Sequence, residues 1–255
     1  MAFDQIEHVF VLMLENRSFD HLLGFSGISG TDAATGSPTV VNGLSGTESN
    51  SFQGVTSVVS RPADYAMAVD PGHEFPDVLC QLCGPAASYK AGGDYPAINS
   101  SGFVASYAEA CATANQQGNA GEILRCYSAD QLPVLNTLAQ EFAVCDRWHA
   151  SMPGPTWPNR MFVHAASSAG LDHSPTKAEI ALWEAVFGFS FPNGDIFDRM
   201  SAKGLQRCLY AGDSFPMMAA LKGIHLDDIR DYGNFAADLQ GPFPTAMFLS
   251  SRATT

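Results

Sequence analysis

The sequence predicts an α/β fold in which a mainly parallel sheet is flanked by helices. Segments predicted to be buried strands, the first of them a nearly continuous apolar run, lie at residues 6–14, 143–149 and 206–210. Segments with apolar residues at helical spacing lie at residues 102–113, 132–142, 159–168 and 196–203. Strands that alternate with helices along a chain are typical of parallel sheets.

The first predicted strand ends in polar residues. Glu15 and Asn16 follow the apolar run, and residues 18–23 form a predicted helical turn that Gly24 ends. Ligands of α/β proteins bind at the carboxyl ends of the strands, and a carboxylate buried there requires a charged partner or a metal. A metal ligand, an ion pair with Arg17 and a cap of the following turn are all compatible with Glu15.

A loop-rich excursion at about residues 25–98 separates this strand from the helical part of the chain. Gly, Ser, Thr, Asn and Pro dominate the segment, and helical periodicity is absent. Because a plain loop of this length is uncommon in a compact domain, we expect short strands that cross over the active face. His73, between Gly72 and Glu74, is the histidine of this segment that we expect to reach a site.

A second polar stretch, residues 153–160, has the sequence Pro-Gly-Pro-Thr-Trp-Pro-Asn-Arg. Pro158 fits the first turn of a helix, which would place the Thr156 hydroxyl beside the free amides of a helix start, where anions bind. An ordinary helix cap is the alternative role for this threonine. With Glu15 and Asn16, the stretch predicts a metal-assisted hydrolase that acts on a phosphate ester.

The composition and the net charge exclude several classes of protein. Hydrophobic residues make up 46% of the 255 residues, which argues against disorder, and the net charge of −13 argues against a nucleic-acid partner. No apolar run approaches the roughly 18 residues of a transmembrane segment, and no signal peptide is visible. We therefore expect a cytoplasmic location for the chain as given, or a secreted or periplasmic one if a leader has been removed.

Several motifs in the same order resemble those of the phosphoesterase family, which includes bacterial phospholipases C and respiratory-burst-inhibiting acid phosphatases. The similar segments are residues 9–21, 70–73, 102–104, 126–127, 132–135, 145–149, 151–160 and 196–200. The resemblance extends over about 190 residues and is much more specific than any single motif.

The resemblance implies an alkaline-phosphatase-like core with a divalent metal ion, of unknown identity, at the carboxyl ends of the strands. Glu15, Asn16 and Thr156 would be metal ligands, and Thr156 would also be the nucleophile that forms a phospho-threonine intermediate. His73 would help to bind the phosphoryl group. Asn159 and Arg160 match motif positions and are expected to support the structure around the nucleophile.

The implied function is metal-dependent phosphodiester cleavage of the phospholipase C type, with a phosphate ester, such as a phospholipid, as substrate. An acid phosphomonoesterase and a truncated, catalytically silent fragment are the alternatives. Family members are longer and carry further ligands in a C-terminal half. Residues 1–255 are therefore interpreted as the N-terminal part of a phosphoesterase catalytic domain, truncated at the C-terminus, for which we expect self-association.

Overall fold

The computed structural model describes residues 6–15, 17–116, 118–183, 188–212, 216–242 and 246–250. Its strands are β1 (Val9–Met13), β2 (Ser29–Thr31), β3 (Pro38–Val40), β4 (Ser49–Phe52), β5 (Val55–Val58), β6 (Arg207–Ala211), β7 (Ile229–Asp231) and β8 (Ala246–Ser250). Its α-helices are α1 (Phe19–Leu23), α2 (Phe75–Cys83), α3 (Phe103–Thr113), α4 (Pro133–Glu141), α5 (Thr156–Ala165), α6 (Lys177–Leu182), α7 (Ile196–Ala202) and α8 (Phe235–Asp238). The predicted α/β class is confirmed.

These elements belong to two compact units. The sheet unit comprises the described parts of Met1–Asn16 and Gly154–Thr254, and the hairpin unit comprises those of Arg17–Pro153. No helix of the described ranges is long and apolar enough to cross a membrane.

Four parallel strands form the central sheet of the sheet unit, in the order β1-β8-β6-β7. Met13 of β1 and Ala211 of β6 both pair with Ser250 of β8, so the carboxyl ends of these strands lie at one edge. The strands predicted at residues 6–14 and 206–210 are both present here. The two other sheets in the described residues are antiparallel pairs, so the central sheet is the parallel sheet of the described ranges.

Helices pack against both faces of β6 because its side chains alternate between the two sides of the sheet. Leu209 is buried in a cluster that includes Met161 of α5 and Phe197 of α7. On the opposite side, Tyr210 packs against Phe235 of α8. The central sheet is therefore covered by α5 and α7 on one face and by α8 on the other.

The hairpin unit contains two antiparallel strand pairs, β2–β3 and β4–β5. Gln53 and Gly54 join β4 to β5 with φ values of 50° and 80°, as a tight hairpin turn requires. Short strands were expected in this segment, but α2 was not. A capping box between Glu74 and Asp77 is the local signal that identifies the start of that helix.

The strand predicted at residues 143–149 is absent, which corrects the sequence interpretation. Most of these residues are solvent-exposed, and none belongs to a strand. The Asp146 carboxylate instead accepts a hydrogen bond of 2.6 Å from the backbone amide of Asn42. Charged and polar side chains in this short segment favour such loop contacts over burial in a sheet.

Candidate active site

Thr156 is the first residue of α5, and the extended residue before it, Pro155, is the N-cap. Because the N-cap position is occupied by Pro155, Thr156 does not have the ordinary N-cap role. Its side chain is half-buried. Because Pro158 lacks an N–H, the amides of Thr156 and Trp157 are the backbone donors that the first three residues of the helix offer to an anion.

Asn159 holds the turn that precedes the helix. Its side-chain amide donates to the carbonyl oxygens of Gly154 and Pro155, both at 3.1 Å. These bonds tie the chain before Thr156 to the first turn of α5. They agree with the expected supporting role of Asn159.

Glu15 is joined to the same helix by an ion pair with Arg160. The Glu15 Oε2 atom accepts from Arg160 Nε at 2.8 Å and from Nη2 at 2.7 Å. The side chains are only 18% and 10% exposed, respectively. Arg160 lies four residues after Thr156, on the same face of α5. The structure thus brings the exit of β1 and the first turns of α5 together.

Arg17 is not the partner of Glu15, in contrast to one sequence-based alternative. Its guanidinium donates to the carbonyl oxygen of Tyr65 at 3.2 Å, within the hairpin unit. The helix-cap alternative for Glu15 is also wrong, since Ser18 caps α1 by accepting from the amide of His21.

Two histidines beside these motifs are held neutral by their surroundings. Burial, with a smaller contribution from Arg17, lowers the pKa of His21 to about 4, and its ring stacks on Tyr127 at 4.8 Å. Burial, with a smaller contribution from Arg160, likewise lowers the pKa of His164 to about 4. The His164 ring lies 5.3 Å from that of Phe197. Both imidazoles therefore pack against aromatic rings as neutral side chains.

His73 lies in the hairpin unit, immediately before the N-cap of α2. Its Nδ1 atom is 3.2 Å from the carbonyl oxygen of Pro71 and 4.0 Å from Asp70 Oδ2. Because a carbonyl can only accept, Nδ1 carries the proton in this hydrogen bond, which leaves Nε2 as the acceptor of the neutral ring. The side chain is about half exposed.

Among the predicted metal ligands, Asn16 lies outside the described residues. Glu15 Oε1 and the Thr156 hydroxyl are oxygens of the type that hard divalent cations prefer. Their chemistry is compatible with such an ion, although Arg160 already neutralises part of the Glu15 charge. Within the described ranges, no group of three or more His, Cys, Asp or Glu side chains is placed to hold a metal.

Comparison with known proteins identifies the family. Residues 6–242 match the model of the Phosphoesterase family. The chain belongs to this family. The assignment made from the order of the sequence motifs is therefore confirmed.

Curated relatives of this phosphoesterase family member occur in plants and bacteria. Non-specific phospholipase C4 of Arabidopsis thaliana is 33% identical over 208 residues, which are 80% of this chain and 36% of the relative. Non-specific phospholipase C6 of the same plant is 35% identical over 207 residues, 80% of this chain and 34% of the relative. Phospholipase C B of Mycobacterium tuberculosis is 32% identical over 187 residues, 68% of this chain and 32% of the relative.

The chain thus spans about a third of the length of these relatives. The matched part contains both polar stretches, with Glu15 at the exit of β1 and Thr156 at the start of α5.

Proposed function

We propose that the chain provides the nucleophile of a phosphoric-ester hydrolase of the phospholipase C type. The observation that carries the proposal is the place of Thr156 as the first residue of α5, a helix that Arg160 joins to Glu15. Membership of the Phosphoesterase family and the names of its relatives support this class of reaction.

In this proposal the Thr156 oxygen attacks phosphorus and loses its proton, while the bond from phosphorus to the diacylglycerol oxygen breaks and that oxygen takes up a proton to leave as the alcohol. Water then releases the phosphorylated headgroup from the phospho-threonine intermediate. The Thr156 and Trp157 amides, with the positive end of the α5 dipole, favour the negative phosphoryl oxygens. Asn159 and Arg160 are positioning residues, because they fix the turn and the helix that carry the hydroxyl.

Glu15, Asn16 and Thr156 would contribute oxygen ligands to a divalent metal ion in an alkaline-phosphatase-like core. When bound, such an ion lowers the pKa of a hydroxyl and neutralises developing charge. The described contacts support a role for Glu15 through Oε1, since Oε2 is committed to Arg160. The parallel strands, whose carboxyl ends share one edge, support the assignment of this core.

His73 would assist by binding the phosphoryl group. Its Nδ1–H is directed to Pro71, which leaves Nε2 as the ring nitrogen available to the substrate. We propose this role on the histidine's chemistry and on the family resemblance of its motif.

Two soluble substrates test the proposed function. Purified chain is supplied with Ca²⁺, Mn²⁺ or Zn²⁺ and assayed on p-nitrophenyl-phosphorylcholine and on p-nitrophenyl phosphate. We expect turnover of the diester and loss of that turnover in Thr156→Ala. Preference for the monoester would mean that the chain is a phosphomonoesterase. Turnover of neither compound would mean that it is a catalytically silent fragment.

Thr176→Ala is the matched control. Thr176 also lies at a helix start, where its hydroxyl accepts from the amide of Glu179, but it is an exposed cap of α6. Losing such a cap costs about 1 kcal/mol of stability. We therefore expect a small change in melting temperature and unchanged turnover.

A further inference from the structure

Helix α4 exposes two of its large apolar side chains to solvent, while Leu135 is half-buried and Ala139 is buried. Val134 and Leu138, four residues apart on one face, are 73% and 50% exposed. Phe142, directly after the helix, is 71% exposed. The buried positions are instead Asn136 and Ala139. Contiguous exposed apolar side chains of this kind mark contact surfaces.

Contacts before the helix hold α4 in this orientation. The Gln131 side chain donates to the carbonyl oxygen of Ala63 at 2.7 Å, and the Gln131 carbonyl accepts from the Tyr65 hydroxyl at 3.1 Å. Inside the helix, the buried Asn136 amide donates to the carbonyl oxygen of Leu132 at 3.0 Å. The Asn136 amide can therefore face inward with its hydrogen bond made. Val134 and Leu138, on another side of the helix, then face outward.

The charges around this surface indicate what it contacts. Glu141 is the charged residue of α4, Asp130 precedes the helix, and both are exposed. The chain as a whole carries a net charge of −13. Anionic lipid surfaces repel such a protein. A zwitterionic lipid surface instead presents ammonium groups outermost, which complement acidic side chains around an apolar centre.

We propose that the α4 surface, formed by Val134, Leu138 and Phe142, docks onto a zwitterionic phospholipid surface. The inference rests on the proposed function, since a phospholipid substrate is met at such an interface. An amphipathic helix binds there by burying apolar side chains below the headgroups, with polar residues left in water. The acidic residues Asp130 and Glu141 face the ammonium groups.

Co-sedimentation with phosphatidylcholine vesicles tests the docking surface. We expect the full chain to bind them, and Val134→Glu/Leu138→Glu to lower the partition coefficient about tenfold or more, because two buried apolar side chains are lost. The matched control, Val55→Glu/Val58→Glu, alters two valines of β5 that are 66% and 48% exposed in the same unit. This control is expected to bind as the unaltered chain does.

Three results would overturn the inference. The first is that the α4 variant binds the vesicles as well as the unaltered chain does. The second is that the chain binds phosphatidylglycerol vesicles more tightly than phosphatidylcholine vesicles. The third is that the chain self-associates in sedimentation velocity and the α4 variant does not. If the double variant does not fold, Phe142→Ser, outside the helix, replaces it with the same expected direction. Vesicle binding does not require turnover, so inactivity on p-nitrophenyl-phosphorylcholine with binding intact would reject the proposed function and leave the docking surface.

Discussion

At the residue scale, Glu15 shows both the strength and the limit of the sequence-based argument. A carboxylate at the exit of a buried strand predicts a partner, and the structure supplies one. The partner is Arg160, 145 positions away, and not the neighbouring Arg17. Sequence spacing identifies local partners only, whereas this ion pair depends on how β1 and α5 pack.

Removing the Glu15 carboxylate should destabilise the fold. Glu15→Ala leaves the guanidinium of Arg160 largely buried and unmatched by Glu15, which we expect to cost about 3 kcal/mol of unfolding free energy. Chemical denaturation measures this change. Glu15→Ala/Arg160→Met should recover part of the loss, because no charge then remains.

The exposed ion pair between Asp64 and Arg125, at 3.6 Å, provides the control for this measurement. Its loss in Asp64→Ala should cost less than about 0.5 kcal/mol. A Glu15→Ala variant as stable as Asp64→Ala would show that the Glu15 pair contributes little to the fold.

His164 predicts a pH dependence of stability. Its pKa in the folded chain is about 4, below the ordinary 6.5, so the unfolded chain takes up the proton first as the pH falls. The unfolding free energy therefore falls as the pH is lowered from 6.5 toward 4. The contribution of His164 to this loss is about 3 kcal/mol. Denaturation of His164→Asn should show a flatter dependence in this window. An unchanged slope would contradict the assignment.

At the element scale, strongly patterned segments were predictable and short or polar ones were not. The strand at residues 6–14 and the helix at residues 196–203 were both predicted to within a few residues of β1 and α7. Helix α5 begins three residues earlier than predicted, at Thr156, since Pro155 and Pro158 are compatible with a helix start. The segment 143–149 lacks a strand because its polar residues make loop contacts.

The end of α5 offers a test of backbone strain. Ala166, the exposed C-cap, adopts the left-handed conformation with φ 55° and ψ 23°. Glycine accepts this conformation at lower cost, so Ala166→Gly should raise the unfolding free energy by about 1 kcal/mol. Ala202→Gly, at the exposed last residue of α7, should lower it by up to about 1 kcal/mol. If denaturation showed that both substitutions change the unfolding free energy in the same direction, this description would be contradicted.

At the scale of the whole molecule, the family could be predicted from the sequence because its motifs recur in a fixed order. The parallel order of the central sheet required the structure, since strands β1, β6 and β8 are far apart in the chain. The full ligand set of the proposed metal site stays a prediction. Asn16 lies outside the described residues, and His73 belongs to the hairpin unit.

The exposed edge of the central sheet predicts that copies of the chain associate with one another. In the described sheet β1 is an edge strand, and Phe10 and Leu12 are 48% and 52% exposed. Apolar edges of this kind pair with other chains, so we expect self-association in sedimentation velocity at micromolar concentration. Leu12→Lys should shift the chain toward monomer. A monodisperse monomer without the substitution would contradict this expectation.

The central claim is that Thr156 is the nucleophile, and trapping of the intermediate tests it most directly. A sample that is turning over p-nitrophenyl-phosphorylcholine is quenched rapidly, and its peptides are analysed by mass spectrometry. We predict phosphorylcholine on Thr156, together with a loss of turnover on the order of 10³-fold or more in Thr156→Ala. An unmodified Thr156 and near-normal turnover of the alanine variant would contradict the account.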